Sequence, residues 1–582
     1  MSAHRVGIGL LLLWGLASQA VAQDDAGITV EKNVAVPMRD GIVLRADVYR
    51  PTKGGPFPVL VMRTPYGKPA KIDEALVKGG FLVVTQDTRG RYASDGEYES
   101  FVRFETHDGR DGYDTVEWAA RLPNSSGRVG MFGASYNAFV QWRAAALRPP
   151  SLKALAAFSI PARYPDLEGP GTIRPGRRLK WWQGTISPDL RRRAGLPLPH
   201  TAAEAAANWN AGEGERLLNF LPWLDLPDHL FGTEAASTKQ WLREPATDPW
   251  KLDADAAQTI VPNLNLCGWY DHCNGSIDLH TAIVERGGSD IARNESVLII
   301  GPWSHSTLGA RKQGDIDFGP DAALDISQLQ RDWFGRWLGQ EPAKEWPRVK
   351  LFVMGINAWR EFSHWPPQEY SATKHFFLES GGAAQTPQGN GSLTDSPPTR
   401  EGNDHYEYDP RNPVPTLWTK QMFTVPADQR ELAQRQDILV YQSPALSQSV
   451  ETIGYPEVVL HASSSCPDTD FFARLIDVDG DGRAIDVTSG MVRARYRQGL
   501  DKPELLRPGE VTRFSIRLRP TAHRFLAGHR IRLDITSSDF PNYDRNHNTA
   551  ADQNADAQLV TARQGVHFGG QHLSQLSLPV TP

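Results

Sequence analysis

The sequence predicts an α/β protein: a doubly wound sheet covered by helices, interrupted by a helical insertion and followed by an antiparallel β-sandwich of jelly-roll type. Three observations carry this prediction. Short apolar runs alternate with helical patterns through the first half of the chain, and the alternation lapses from about residue 163 to 254. After 366 the texture changes to period-two segments separated by turn clusters.

The apolar runs are FPVLVMR (57–63), FLVVTQD (81–87), RVGMFG (128–133), LKALAAFS (152–159), NLNLCG (263–268) and SVLIIG (296–301). Runs that are apolar on both faces belong to parallel strands covered on both sides by helices. The helices are expected at 111–122, 136–147, 276–287 and 325–339, where the pattern changes to helical spacing. Such βα alternation is the signature of a doubly wound domain, here divided into 23–162 and 255–365. Between them, TAAEAAANWNAGEGERLLNFL (201–221) reads as helix, so 163–254 is expected to cap a site at the strand ends. From 366 to 582, segments such as EVVLHASS, FFARLIDV, MVRARYR, TRFSIRL and HRIRLDITSS alternate in polarity and predict the sandwich. No fixed-period repeat occurs, which excludes solenoids and propellers.

A chain of 582 residues is too long for one core, and at ~150 residues per domain it should form three or four units. Its 40% apolar and 22% charged residues, with 17 tryptophans, describe a folded globular protein. The net charge of -6, with only the short basic tract RRR at 191–193, excludes nucleic acid as a partner. Residues 1–22 read as a secretory signal: Arg5, a twelve-residue apolar stretch, then the small-x-small motif AVA before Gln23. The expected destination is periplasmic or secreted, with no membrane anchor after cleavage, since the stretch is short and no later segment is apolar enough to span a bilayer. Three cysteines cannot make a disulfide framework; Cys267 and Cys273 could pair in an exported protein, but free thiols are the preferred reading.

The chemistry is expected at VGMFGASYNAFVQW (129–142), where a strand ends on a serine and a helix begins. A serine hydroxyl attacks a carbonyl only when a base takes its proton. In a nucleophile elbow the serine sits on a strained strand-to-helix turn, so the flanking positions must be small. Gly133 and Ala138 satisfy this, whereas Asn137 stands where G-x-S-x-G has its last glycine and is tolerated only if it points away from the sheet. The competing reading is a serine that merely caps the helix.

An imidazole base and an orienting carboxylate should follow in the order Ser, acid, His, each just beyond a strand. NLNLCGWYD ends in Asp271 and SVLIIGPWSH in His305; His272, next to Asp271, is the competing base among the 16 histidines. The oxyanion of an acyl-transfer reaction needs two donors. One is expected from the Tyr136 amide and the other from Tyr66, whose phenol, with pKa near ~10, stays protonated at neutral pH.

These residues sit among VPMRDGIVLRADVYRP, RTPYGK, QDTRGRYASDGEY, GMFGASY, GWYD, GPWSH, FVMGINAWR, YDPRNPVPT, DTDFFARLIDV and SSDFPNYDRN. Together, from about residue 30 to the end, they resemble the cocaine esterase, α-amino acid ester hydrolase and cephalosporin acylase group, relatives of X-prolyl dipeptidyl peptidases. The resemblance implies an α/β-hydrolase domain, a helical cap and a C-terminal jelly roll packed against the site. It implies Ser135 as nucleophile, Asp271 as acid, His305 as base, and Tyr66 with the Tyr136 amide as oxyanion hole. The group's corner is G-x-S-Y-x-G, so Asn137 falls at a variable position and Ala138 replaces the glycine. The α-amino acid ester hydrolases carry acids two and three positions beyond the triad aspartate to grip a substrate ammonium. Cys273 and Asn274 stand there in this chain, which argues against α-amino esters. Asp166 and Glu168 could supply an acid, but read better as solvated surface charges.

DVDGDG (477–482) begins like a calcium loop but has Thr488 where the bidentate glutamate should be, and reads as a turn. No zinc motif is present, so neither metal nor cofactor is expected. In QDTRGR (86–91), Asp87 is expected to brace the loop by pairing with Arg89 or Arg91. The expected activity is that of an exported serine hydrolase acting on small esters or amides, with a homo-oligomer compatible with the sequence. The rival activity is cleavage of X-prolyl dipeptides; the rival class is an inert exported binding protein whose sandwich holds a carbohydrate.

Overall fold

The computed structural model describes residues 22–24, 27–101, 103, 105–169, 171–271, 275–339, 345–385, 388–417 and 426–582. The expected signal peptide, His272, Cys273 and Asn274 therefore lie outside the described residues, apart from the backbone of Ala22.

Eleven strands form the first sheet: β1 (Ala22–Asp24), β2 (Ile28–Pro37), β3 (Val43–Pro51), β4 (Phe57–Thr64), β5 (Leu82–Asp87), β6 (Ser125–Ala134), β7 (Leu152–Phe158), β8 (Leu264–Gly268), β9 (Val297–Gly301), β10 (Val349–Val353) and β11 (Ala358–Phe362). Their order is β1-β2-β3-β5-β4-β6-β7-β8-β9-β10-β11. The seven neighbours from β5 to β10 run parallel, with registers such as Val61↔Val84, Val61↔Met131 and Ala134↔Phe158. Every residue of β5, β8 and β9 is buried, as the two-sided apolar runs require.

The sheet is mixed rather than wholly parallel, which corrects the sequence expectation at its edges. β2 and β3 form an antiparallel hairpin beside β5, and β11 pairs antiparallel with β10. Their polarity is interrupted by charged residues that face solvent, so they do not read as continuous apolar runs. Helices Asp108–Ala120, Tyr136–Ala146, Ser276–Arg286 and Ile326–Leu338 lie at the predicted places.

Between β7 and β8 the chain is mainly helical, from Tyr164–Glu168 through Ala235–Arg243, and includes two π-helical turns. From residue 372 onward the structure is a β-sandwich whose strands pair mostly antiparallel, among them Asp470–Val478 with Ala484–Arg493 and Glu457–Ser464 with Ala562–Phe568. The sandwich grips the insertion: Asp544 N donates to Ile173 O (2.9 Å), Gly176 N to Pro541 O (2.9 Å), and Arg493 Nη1 to Gly171 O (2.6 Å).

Candidate active site

β6 ends at Ala134 and a helix begins at Tyr136, leaving Ser135 on the corner with φ 61° and ψ −127°. A non-glycine residue at positive φ is strained, and such strain clusters at functional sites. The corner is pinned on both sides. Ser135 N donates to Phe158 O of β7 (3.0 Å), and its carbonyl receives Ala138 N (2.8 Å). Ser135 makes no side-chain cap bond to the helix, so the capping alternative is not realised. Gly133 has φ 131°, and a Cβ there would stand 2.7 Å from the Asn137 Cβ. The glycine two residues before the serine is therefore what allows asparagine two residues after it. Ala138, the small residue three after the serine, is fully buried.

The other two candidates arrive on neighbouring strands. Asp271 follows β8 and His305 follows β9, and the two loops touch: Trp269 N donates to Gly301 O (2.9 Å) and Tyr270 N to Trp303 O (3.0 Å). Gly268 permits this approach, since a Cβ at that position would lie 2.0 Å from Trp303 O. The result is that His305 Nδ1 stands 3.1 and 3.2 Å from the two oxygens of Asp271, whose carboxylate is wholly buried. His305 and Ser135 line one cavity, together with Tyr66, Tyr136, Phe101, Trp181 and Trp250. Tyr66 sits edge-on to Tyr136, ring centroids 6.5 Å apart. Its loop is braced by Arg91, whose Nε donates to Pro65 O (2.7 Å) and whose Nη1 donates to Ile186 O of the insertion (2.8 Å).

Below the corner, the Tyr136 hydroxyl lies 3.1 Å from Asp108 Oδ2. Burial pushes the Asp108 carboxyl up to about 6, with Arg63 pulling the other way and Asp111 adding to the rise. Above it, Glu168 is fully buried, which overturns its reading as a solvated surface charge. Glu168 Oε1 receives Arg177 Nη2 (2.9 Å) and Arg178 Nε (3.0 Å). Its Oε2 receives the Arg174 amide (2.9 Å). Burial drives its pKa up, but Arg178 and Arg177 outweigh that and hold it below the ordinary glutamate range. Arg178 also lies over Phe101, Tyr164 and Trp181 at 5.1–5.4 Å. Asp166 is exposed and faces a different cleft.

Sequence reasoning placed the insertion over the site but did not name the residues it contributes to the cavity, Leu167, Arg177, Arg178, Trp181 and Trp250. The available signal was GRRLKWW (176–182), which puts cations and indoles on one short helix. Two further expectations are resolved. Asp87 pairs with Lys68 Nζ (2.9 Å) instead of Arg89 or Arg91. Arg89 is sent to Asp111 (2.7 Å) and Arg91 to the insertion. DVDGDG is the tip of a hairpin, closed by Asp479 Oδ1 receiving Asp481 N (3.0 Å) and Arg483 N (2.9 Å). Among the described residues no group of three or more His, Cys, Asp or Glu is placed to hold a metal. Cys267 is a buried free thiol, and Cys273 lies outside the described residues.

Residues 40–307 match the family model of the X-Pro dipeptidyl-peptidase, S15 family, and residues 343–577 that of the X-Pro dipeptidyl-peptidase C-terminal non-catalytic domain. Cocaine esterase of Rhodococcus sp. (strain MB1 Bresler) is 36% identical over 596 aligned positions, covering 96% of this chain and 99% of the relative. Among solved structures, an α-amino acid ester hydrolase superposes with a TM-score of 0.77 at 24% identity, covering 98% of this chain and 100% of its own. An aminopeptidase from a marine sediment Thaumarchaeota archaeon does so at 0.77 and 23%, covering 97% and 99%. The fold, with a strained serine corner at the carboxyl end of the sheet's central strand, and the similarity to cocaine esterase and the S15 family define the class: a serine hydrolase on an α/β-hydrolase core. More narrowly, the chain belongs to the cocaine esterase group, within the S15 family of X-Pro dipeptidyl-peptidases.

Proposed function

We propose that the protein is an exported esterase that forms an acyl-enzyme on Ser135. The observation that supports this most directly is the convergence of Ser135, His305 and Tyr66 on one cavity, with Asp271 bonded behind His305. With Nδ1 facing Asp271, Nε2 is the nitrogen that takes the serine proton. Ser135 Oγ then attacks the ester carbonyl, and the developing oxyanion is met by the Tyr136 amide and the Tyr66 hydroxyl. His305 returns the proton to the leaving alcohol; water, deprotonated by the same imidazole, releases the acid. Asp271 stays ionised throughout and holds the tautomer.

The cavity wall indicates the substrate. Phe101, Trp181, Trp250 and Leu167 present apolar surface, and Arg177 and Arg178 outnumber the single carboxylate of Glu168. An ammonium would meet cations there, so small esters of apolar acids are favoured over α-amino esters and over dipeptides with a free amine. Ser135→Ala should lower turnover of an aryl ester such as p-nitrophenyl acetate by roughly 10⁶-fold with the fold intact. It should also abolish labelling by a fluorophosphonate. Undiminished turnover would remove Ser135 from the mechanism, and faster cleavage of a Gly-Pro anilide than of aryl esters would favour the peptidase reading.

A further inference from the structure

A second cleft, of about 350 Å3, opens where the insertion, the helix Ser276–Arg286 and the β-sandwich meet. It shares no lining residue with the cavity at Ser135; the chain from 163 to 178 is the wall between them. Four guanidinium groups line it, those of Arg163, Arg174, Arg517 and Arg519, against two carboxylates, Asp166 and Asp278.

The charges are not evenly placed. At the outer end Arg163 is paired with Asp248 (3.4 Å), Asp278 lies within electrostatic reach of Arg517 and Arg163, and Asp166 faces Asp278 as well as Arg163, so the charged groups there are mutually engaged. At the inner end neither arginine has a carboxylate bonded to it. Arg174, 2% exposed, donates from Nη2 to the Tyr543 hydroxyl (2.6 Å) and from Nη1 to Asn542 Oδ1 (3.4 Å), both neutral. Arg519 reaches only Ser489 Oγ, from Nη2 at 3.4 Å. Its Nε and Nη1, like Arg174 Nε, are buried with no acceptor among the described residues. Burial, reinforced by repulsion from Arg174, lowers the Arg519 pKa and outweighs the opposing influence of Tyr543 and of the more distant carboxylates of Asp539 and Asp486. A buried guanidinium without acceptors is costly, and folded proteins keep few such groups without an ion or ligand to answer them.

We infer that the inner end of this cleft is an oxyanion site, in which Arg519 and Arg174, with the hydroxyls of Tyr543 and Ser489, take a carboxylate or phosphate group of a small molecule. Planar guanidinium forks match both groups and exclude cations. The site is distinct from the hydrolytic centre and does not depend on the reading of that centre.

Isothermal titration of the full chain with inorganic phosphate, and separately with succinate, at ionic strength fixed by sodium chloride, tests it. Saturable binding of one or both is expected, and whichever binds tighter shows whether the natural ligand is phosphorylated or carboxylated. Arg519→Gln should weaken that binding at least tenfold while leaving aryl-ester turnover unchanged. Arg517→Gln, at the outer end, should weaken it by less. Absence of saturable binding by either anion to the parent protein would overturn the inference whether or not the variants fold. So would an Arg519→Gln protein that binds as tightly as the parent.

Discussion

Two regions present buried charge to the cavity at Ser135, and they neutralise it by opposite means. At the rim of the sheet, the carboxylate of Asp271 is wholly buried and answered by an imidazole, a side chain that can act as both proton acceptor and proton donor. In the insertion above, the equally buried Glu168 is answered by Arg177 and Arg178, which never lose their protons. The first arrangement can move a proton; the second can only hold a shape. Rim substitutions should therefore cost rate, and insertion substitutions stability.

The sharpest test of that division is Asp271→Asn. The amide cannot stabilise an imidazolium and favours the wrong tautomer, so kcat should fall roughly 10⁴-fold. The urea midpoint should hardly move, and a matching loss of stability would erase the distinction. Next comes Glu168→Gln, which leaves two buried guanidiniums without a counter-charge. Removing one partner of such a group costs about 3–5 kcal/mol, read from chemical denaturation. A smaller effect, with kcat collapsing instead, would move Glu168 to the catalytic side. Smaller again is Tyr66→Phe: losing one oxyanion donor should cost about 2.7–4 kcal/mol in kcat with KM little changed.

The same division explains what the sequence could disclose. Strands such as LNLCG are legible because parallel strands buried on both faces must be apolar throughout, and their ends locate Asp271 and His305. The hairpin of β2 and β3 was not, since edge strands keep polar residues toward solvent. Glu168 was misread because isolated carboxylates are nearly always exposed. Only the fold shows that Arg177 and Arg178, nine and ten residues on, come back to it across a helix start. The touching of the loops after β8 and β9 depends on Gly268 meeting a carbonyl 35 residues away, a contact without local signature.

The smallest effect separates the two regions through pH. Asp108, beneath the corner, is buried like Glu168, but Arg63 gives its nearest charge elsewhere: Nη1 donates to the Asp108 backbone carbonyl (2.7 Å) and Nη2 lies 3.8 Å from Asp111. Its carboxyl is pushed up to about 6, against 3.8 ordinarily, so between those values the folded protein keeps a proton that the unfolded chain has released. Stability from this group is then full below about pH 4 and declines until about pH 6, by roughly 2–3 kcal/mol. Glu168, held low by its arginines, acts in the opposite sense: its contribution is present above about pH 4.5 and is lost on further acidification. Asp108→Asn should remove the first slope alone, so that variant minus parent stability climbs between pH 4 and 6 and is level above. A difference that stays flat across that range would mean that Asp108 is ionised beneath the serine corner, and the contrast between the two buried acids would fail.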